Sequence, residues 1–258
     1  MERGVMHFSS QKIEFAGTSE TGLVRSSNED SFGLLPEHGV IIVADGMGGY
    51  NAGEIASSVA VDTISNYLRQ HLTNETPLDR CIDEIERAIE AANLAIAEAV
   101  RAAPKERHGM GTTVVAGIFR QRGLGFAWVG DSRLYLLRNQ RLVQLTLDHT
   151  LVQELVNQHL FPSVEAAVMA GVGENVLTRA LGAEGQLLID VHNIEIGKGD
   201  VLLFCSDGLN HMSDRRSIEK VLNTYKISLE TKVERLIQLA CNAGGRDNIT
   251  VVLAEVVS

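Results

Sequence analysis

The stretch Val40-Ile41-Ile42-Val43-Ala44-Asp45-Gly46-Met47-Gly48-Gly49 constrains this chain more than any other. An unbroken apolar, β-branched run bounded by glycines is what a strand buried on both faces looks like. It delivers Asp45 to the strand's mouth, where a carboxylate is either a turn residue or a ligand. Asp-Gly alone is a hairpin signal, but the arrangement recurs. Phe126 to Val129 runs into Gly130-Asp131-Ser132-Arg133, and Val201 to Cys205 into Ser206-Asp207-Gly208. In Gly244-Gly245-Arg246-Asp247-Asn248 the order is inverted, with the apolar strand Ile249 to Leu253 following. If that strand is antiparallel to the one ending at Asp45, then Asp247, Asp45 and Asp207 arrive at one sheet edge. Four unrelated hairpins would not need Asp each time, since Asn and Gly serve turns equally well.

Three or four carboxylates in a partly dry cleft repel one another, and each is driven to bind a proton. Divalent cations remove that cost. The ligand set is all oxygen, without Cys or His in these motifs, which selects Mg²⁺ or Mn²⁺ over Zn²⁺ or copper. The neighbouring glycines let a backbone carbonyl such as that of Gly46 approach a metal. Two such ions would share and activate a water for attack on phosphorus.

At 258 residues the chain can bury a sizeable core, and no Pro/Ser-rich linker, repeat or charge run divides it, so a single domain over 1–258 is expected, with its core about 12–257. A formal net charge of −10 argues against nucleic acid as the main partner. Met1 to Gln11 carries neither an apolar core nor a basic leader, and no run approaches the ~20 apolar residues that span a bilayer, which predicts a cytoplasmic protein with no membrane partner. Cys81, Cys205 and Cys241, odd in number and scattered, suit a reducing compartment.

In order, a strand from Phe15 breaks at Gly22, and Arg25 with Asn28-Glu29-Asp30 precedes a strand over Ser31 to Leu35. Arg25 reads either as a solvated ion-pair partner or as a fork on phosphate, with Glu29 on a metal-bound water. Asn51 and Glu54 have the spacing of a capping box for a helix to about His71. Thr76-Pro77 reads as cap and first-turn proline of a second helix with Leu78, Ile82, Ile85, Ile89, Ile96 and Val100 on one face. The two form an antiparallel pair covering a sheet. Gly109-Met110-Gly111-Thr112-Thr113 leads into runs over Val114 to Phe119, Gly125 to Val129, Leu134 to Leu137 and Arg141 to Leu145, whose short links predict antiparallel hairpins. Asp148 to Leu181 is helical but broken by Pro162, Gly171 and Gly173, as in a mobile flap. Ser213 to Leu222 and Val233 to Cys241 are helical. Strands, two helices, strands, helices and a strand describe an α+β fold of two packed antiparallel sheets with helices outside each.

With these motifs the sequence resembles the metal-dependent Ser/Thr protein phosphatases (the PPM or type 2C family), in their compact bacterial form. The matching text is Arg25 with Asn28-Glu29-Asp30, Val43 to Gly49, Gly109 to Thr113, Gly130 to Arg133, Asn175 to Gly182, Ser206-Asp207-Gly208 and Arg246 to Thr250. The resemblance implies a four-layer α-β-β-α sandwich with two Mn²⁺ or Mg²⁺ at one end and hydrolysis of phosphoserine or phosphothreonine by a metal-bridged hydroxide. It implies that Asp45 bridges both ions, with the Gly46 carbonyl on one and Asp207 and Asp247 on the other. Glu29 would act through water, Asp131 with Asp207 would hold a third, weaker ion, and Arg25 would clamp phosphate. Asp30 and Asn248 would orient these ligands. Eukaryotic relatives often carry His where this chain has Met47, so a proton for the leaving alkoxide must come from elsewhere. The implied partners are phosphoprotein substrates and a cognate bacterial Ser/Thr kinase, with the chain a monomer.

Rival chemistries fit less well. A cysteine phosphatase needs an arginine at fixed distance after the thiolate; Cys205 ends an apolar strand, and six residues on stands His211. Arg107-His108-Gly109 spells a phosphohistidine-type signature, but it follows Pro104-Lys105-Glu106 and not a buried strand. No P-loop lysine motif is present. His149 and His192 read as surface or satisfied polar residues. A non-catalytic phosphoprotein-binding module would be expected to lack metal ligands, and Asp45, Asp207 and Asp247 are all present.

Overall fold

The computed structural model describes residues 1–8, 11–49 and 51–257; Ser9, Ser10, Tyr50 and Ser258, although within the expected 1–258 span, lie outside the described residues. Two antiparallel sheets pack face to face. The first has the order β1 (Glu2–Phe8), β2 (Gln11–Glu20), β12 (Ile249–Val256), β11 (Val201–Cys205), β8 (Arg133–Arg138) and β9 (Arg141–Gln144). The second runs β10 (Asp190–Glu195), β7 (Gly123–Val129), β6 (Val114–Arg120), β4 (Val40–Met47) and β3 (Asp30–Leu35), with β5 (Gly111–Thr112) on the end of β4.

β4 is buried on both faces, as its composition requires. Val40, Ile42 and Ala44 face one apolar cluster, shared with Ile64 of α1 (Ala52–His71) and Ile85 and Ile89 of α2 (Leu78–Ala102). Ile41 and Val43 face the other, between the sheets, with Phe15, Phe126, Leu202 and Phe204. The sheets interlock closely: a Cβ on Gly117 of β6 would stand 2.6 Å from Phe204 Cζ of β11. The outer face of the first sheet is covered by α6 (Arg215–Leu222) and α7 (Leu229–Asn242), through Ile218, Val233 and Leu236 against Leu203, Val251 and Leu253. The result is the four-layer sandwich.

Several local expectations are corrected. Asn51 makes no side-chain cap, so the Asn51/Glu54 box does not form. Pro77 is itself the N-cap of α2, in extended backbone, and Thr76 instead accepts at Oγ1 from the Thr73 amide (2.9 Å). β6–β7 and β8–β9 are hairpins, but β7 and β8 lie in different sheets, so Gly130-Asp131-Ser132 crosses from one layer to the other. β12 pairs with β11 and β2, not with β4, whose sides are taken by β3 and β6. β1 and β10 give no sequence signal because only Met6 among their residues is buried, so a two-residue apolar alternation never develops. Between β9 and β10 lie α3 (Leu151–Asn157) and α4 (Val164–Met169), each capped by a hydroxyl, Thr150 and Ser163.

Candidate metal centre

Although β12 is not the neighbour of β4, the acids still meet. Cys205 pairs with Val251 across β11 and β12, so Asp207, just past one strand, and Asp247, just before the other, come to one end of the first sheet. Asp45 comes to the same end from the second sheet, and a cavity of about 240 Å³ is lined by Arg25, Glu29, Asp45, Gly46, Asp131, Asp207, Asp247 and Asn248. Asp30 sits opposite Asp45 in the β3–β4 register.

Backbone contacts fix the Asp45 strand end. Its amide donates to Thr113 Oγ1 (3.1 Å), and its carbonyl accepts from the Thr113 amide (2.9 Å) and Thr112 Oγ1 (2.8 Å). Thr113 Oγ1 also lies 2.7 Å from Ser132 Oγ, which ties the sheet-crossing loop to the Asp45 strand. The Thr112-Thr113 pair thus positions Asp45, a role that the motif text alone did not suggest. Gly46 donates its amide to the Glu29 carbonyl (3.1 Å). A Cβ there would stand 2.1 Å from the Gly53 carbonyl oxygen and 2.5 Å from that of Glu29. Neither backbone oxygen can turn aside, so Gly46→Ala should destabilise the fold by about 2–3 kcal/mol in urea unfolding; an unchanged midpoint would contradict the close approach.

Asn248 organises the loop before β3. Its Oδ1 accepts from the Glu29 amide (2.8 Å), and its Nδ2 donates to the carbonyls of Thr21 (3.0 Å) and Ser27 (2.9 Å). Buried Asp30 accepts at Oδ2 from Ser206 and Thr250, both 2.7 Å, while its Oδ1 has no partner among the described residues. Arg25 Nη2 donates to Asp247 Oδ2 (2.8 Å), and Asp247 Oδ1 accepts from the Asn248 amide (2.9 Å).

One contributor was missed in the sequence. Asp207 opens a short helix, α5 (Asp207–Asn210), and four residues on His211 brings Nδ1 to 3.2 Å from Asp207 Oδ2. The signal was the i, i+4 spacing, hidden because Ser206-Asp207-Gly208 reads as a turn.

The electrostatics are those of crowded acid. Burial raises Asp45 well above the usual carboxylate range, with Asp30, Asp207 and Asp131 adding to it. Burial likewise pushes Asp30 and Asp131 up to about 7, and raises Glu29 against the pull of Arg25. Asp207 is the exception: burial acts to raise it, but the His211 hydrogen bond and charge hold it below its ordinary value. Among the described residues no three His, Cys, Asp or Glu side chains close on a single point. The acids share one pocket without yet surrounding one atom, and Asp247 is turned toward Arg25. A cation would have to draw Asp247 off that guanidinium. The donor set that lines the cavity fits hard divalent ions: it is all oxygen and carries excess negative charge.

The rival motifs are accounted for. Cys205 is buried, and burial pushes its thiol up to about 12, far from a nucleophile's range. Arg107 donates to the Ala99 carbonyl (2.8 Å), and His108 is exposed in the turns after α2. Cys81, Cys205 and Cys241 are all free thiols. Among the described residues no helix is long and apolar enough to cross a membrane.

The protein phosphatase 2C family model matches residues 24–242. The serine/threonine phosphatase stp of Listeria innocua is 39% identical over 246 residues, 92% of this chain and 93% of that protein. The serine/threonine protein phosphatase PstP of Mycobacterium tuberculosis is 38% identical over 247 residues, covering 95% of this chain and 45% of that protein. Among solved structures, the serine/threonine phosphatase of S. agalactiae superposes with a TM-score of 0.87 at 33% identity, over 95% of this chain and all of that one. The PstP catalytic domain, crystallised with two manganese ions, gives 0.83 at 35% identity over 95% and 99%. With the sandwich and its acid-lined end in place, these matches establish that the chain belongs to the protein phosphatase 2C family of metal-dependent serine/threonine protein phosphatases.

Proposed function

We propose that residues 1–258 act as one phosphatase domain whose centre is the Arg25, Glu29, Asp45, Asp131, Asp207, Asp247 pocket. The observation that carries this reading is the convergence of five carboxylates and one arginine, drawn from both sheets, on a single 240 Å³ cavity. Asp45, the Gly46 carbonyl, Asp207 and Asp247 would hold two divalent ions, with Asp45 shared between them, Glu29 acting through water, and Asp131 with Asp207 holding a third, weaker ion. Bound there, the pair supplies neutralising charge and a water acidic enough to yield a nucleophile near pH 7. Everything else falls to the chain's own groups. Asn248 and Asp30 hold the loop and strand that carry Glu29 and Asp45. His211 keeps Asp207 ionised and ready to ligate. Met47 lines the pocket with no proton to give, so that position does not protonate the leaving alkoxide.

Arg25, about half exposed and reaching Asp247, is the clamp for the phosphate of phosphoserine or phosphothreonine. When Asp247 turns to a cation, the guanidinium fork is left free for two phosphate oxygens. Arg25→Ala should therefore raise KM for a phosphopeptide by about tenfold or more, while the Mn²⁺ concentration giving half-activity changes little. An unchanged KM and kcat would remove Arg25 from the substrate site.

The proposed substrates are cytoplasmic phosphoproteins of a bacterial Ser/Thr kinase, met by a monomer. The decisive experiment is phosphate release from a phosphothreonine peptide, abolished by EDTA and restored by Mn²⁺ or Mg²⁺. Binding of the peptide with no release in either metal would show a recognition module instead.

A further inference from the structure

Asp131 stands where the chain leaves one sheet for the other, and the residue before it is gripped from the side by an imidazole. Gly130, at φ +102°, has no room for a side chain, since a Cβ would stand 2.6 Å from Thr113 Cγ2. Its carbonyl accepts from the His149 backbone amide (3.0 Å), and its own amide donates to His149 Nδ1 (3.1 Å). A ring nitrogen that accepts from an amide carries no hydrogen. The hydrogen of the neutral ring is therefore on Nε2, 3.3 Å from Asp190 Oδ2. Arg179 Nη1 also lies 3.3 Å from Nε2, but two donors cannot bond, and its hydrogen bond goes to Asp190 Oδ1 at 3.0 Å. Trp128 stacks on the imidazole with centroids 6.0 Å apart and planes 13° from parallel. His149 is 4% exposed. Its carbonyl accepts from the Thr178 amide (2.9 Å), and Leu151 donates to the Val176 carbonyl (2.8 Å), so the base of the segment carrying α3 and α4 closes on the same residue.

We propose that His149 is a positioning residue: its unprotonated Nδ1 locks the Gly130 peptide, and so sets both the aim of Asp131 and the docking of the α3–α4 segment. What Asp131 then does rests on the two-metal reading; the lock itself does not. The charged groups around the ring are Asp190 and Arg179, with Asp148 one residue back and paired to Arg133, while Trp128 also stacks on His192. Burial, then the Arg179 cation, holds the imidazole below its ordinary value against the opposing pull of Asp190 and Asp148. Protonation would put a second N–H at Nδ1, facing the Gly130 N–H. The lock therefore opens as pH falls and is closed at neutral pH.

The test compares His149→Asn with His149→Gln. The Asn side-chain oxygen falls near the place of Nδ1 and accepts from Gly130; the Gln oxygen reaches toward the place of Nε2. Hydrogen exchange at the Gly130 amide and phosphopeptide kcat/KM in Mn²⁺ are read together. H149N should keep the amide protected and kcat/KM within about threefold, while H149Q should lose the protection and about 10- to 100-fold in kcat/KM. Both variants falling alike, or H149Q keeping both properties, would overturn the proposal. If H149Q does not fold, the native chain and H149N decide the matter: at pH ~7.5 the Gly130 amide should be protected from exchange in both, because each offers it an acceptor. Rapid exchange of that amide in the native protein, or its loss of protection in H149N, would overturn the lock. Asp207→Asn is the control, since persistent turnover there would sink the two-metal reading and leave the exchange result standing.

Discussion

Asp45→Asn should reduce phosphopeptide hydrolysis by about 10³-fold at saturating Mn²⁺ while leaving near-UV circular dichroism unchanged. Asn has the same shape, and the strand end is held by backbone contacts with Thr112 and Thr113 that the substitution does not touch. Only the carboxylate charge disappears. The same change removes the centre of the carboxylate crowding, so the metal-free variant should be more stable than the metal-free parent, as expected where function is held against stability. Turnover within tenfold of the parent would remove Asp45 from the centre of the chemistry.

The second large effect concerns stability against pH. Burial holds Asp30 and Asp131 at about 7 in the folded chain, against about 4 when unfolded. Between those values the folded, metal-free protein keeps protons that the unfolded chain has released. Stability therefore falls as pH rises from about 4 to about 7. His211, raised by its hydrogen bond to Asp207, acts in the same direction, and His149, lowered mainly by burial, opposes it. In EDTA the unfolding free energy should drop by about 3 kcal/mol or more from pH 5 to pH 8. With Mn²⁺ the trend should reverse, because ligation requires the ionised acids, and a hundredfold excess over Kd adds about 2.7 kcal/mol. Urea unfolding at the two pH values, with and without metal, reads both signs. A flat profile in EDTA would mean that the acids are not crowded.

Legibility in the sequence followed burial. The Val40–Val43 run was readable because both its faces meet apolar layers, and α2 because its stripe packs on one sheet. Asp45, Asp207 and Asp247 could be picked out because each adjoins such a run. The neighbour of β12 could not be, since antiparallel pairing with β4 or with β11 brings Asp247 to the same end. The layer change at Gly130 looks like any short turn. His211 escaped because one helical turn contributes too few residues to show a period, and His149 because its lock is made with backbone atoms, which sequence does not display.

The division of the acids between the layers has a consequence for remote variation. Asp45 rides on one layer, and Asp207 and Asp247 on the other. A shear of the layers by even a fraction of the ~3.3 Å strand rise would pull the ligand cage apart without unpairing a strand. Where the layers mesh most tightly, as at Gly117 against Phe204, an added methyl would act as a wedge. Such a protein would remain folded yet bind its ions poorly, and excess cation would rescue it.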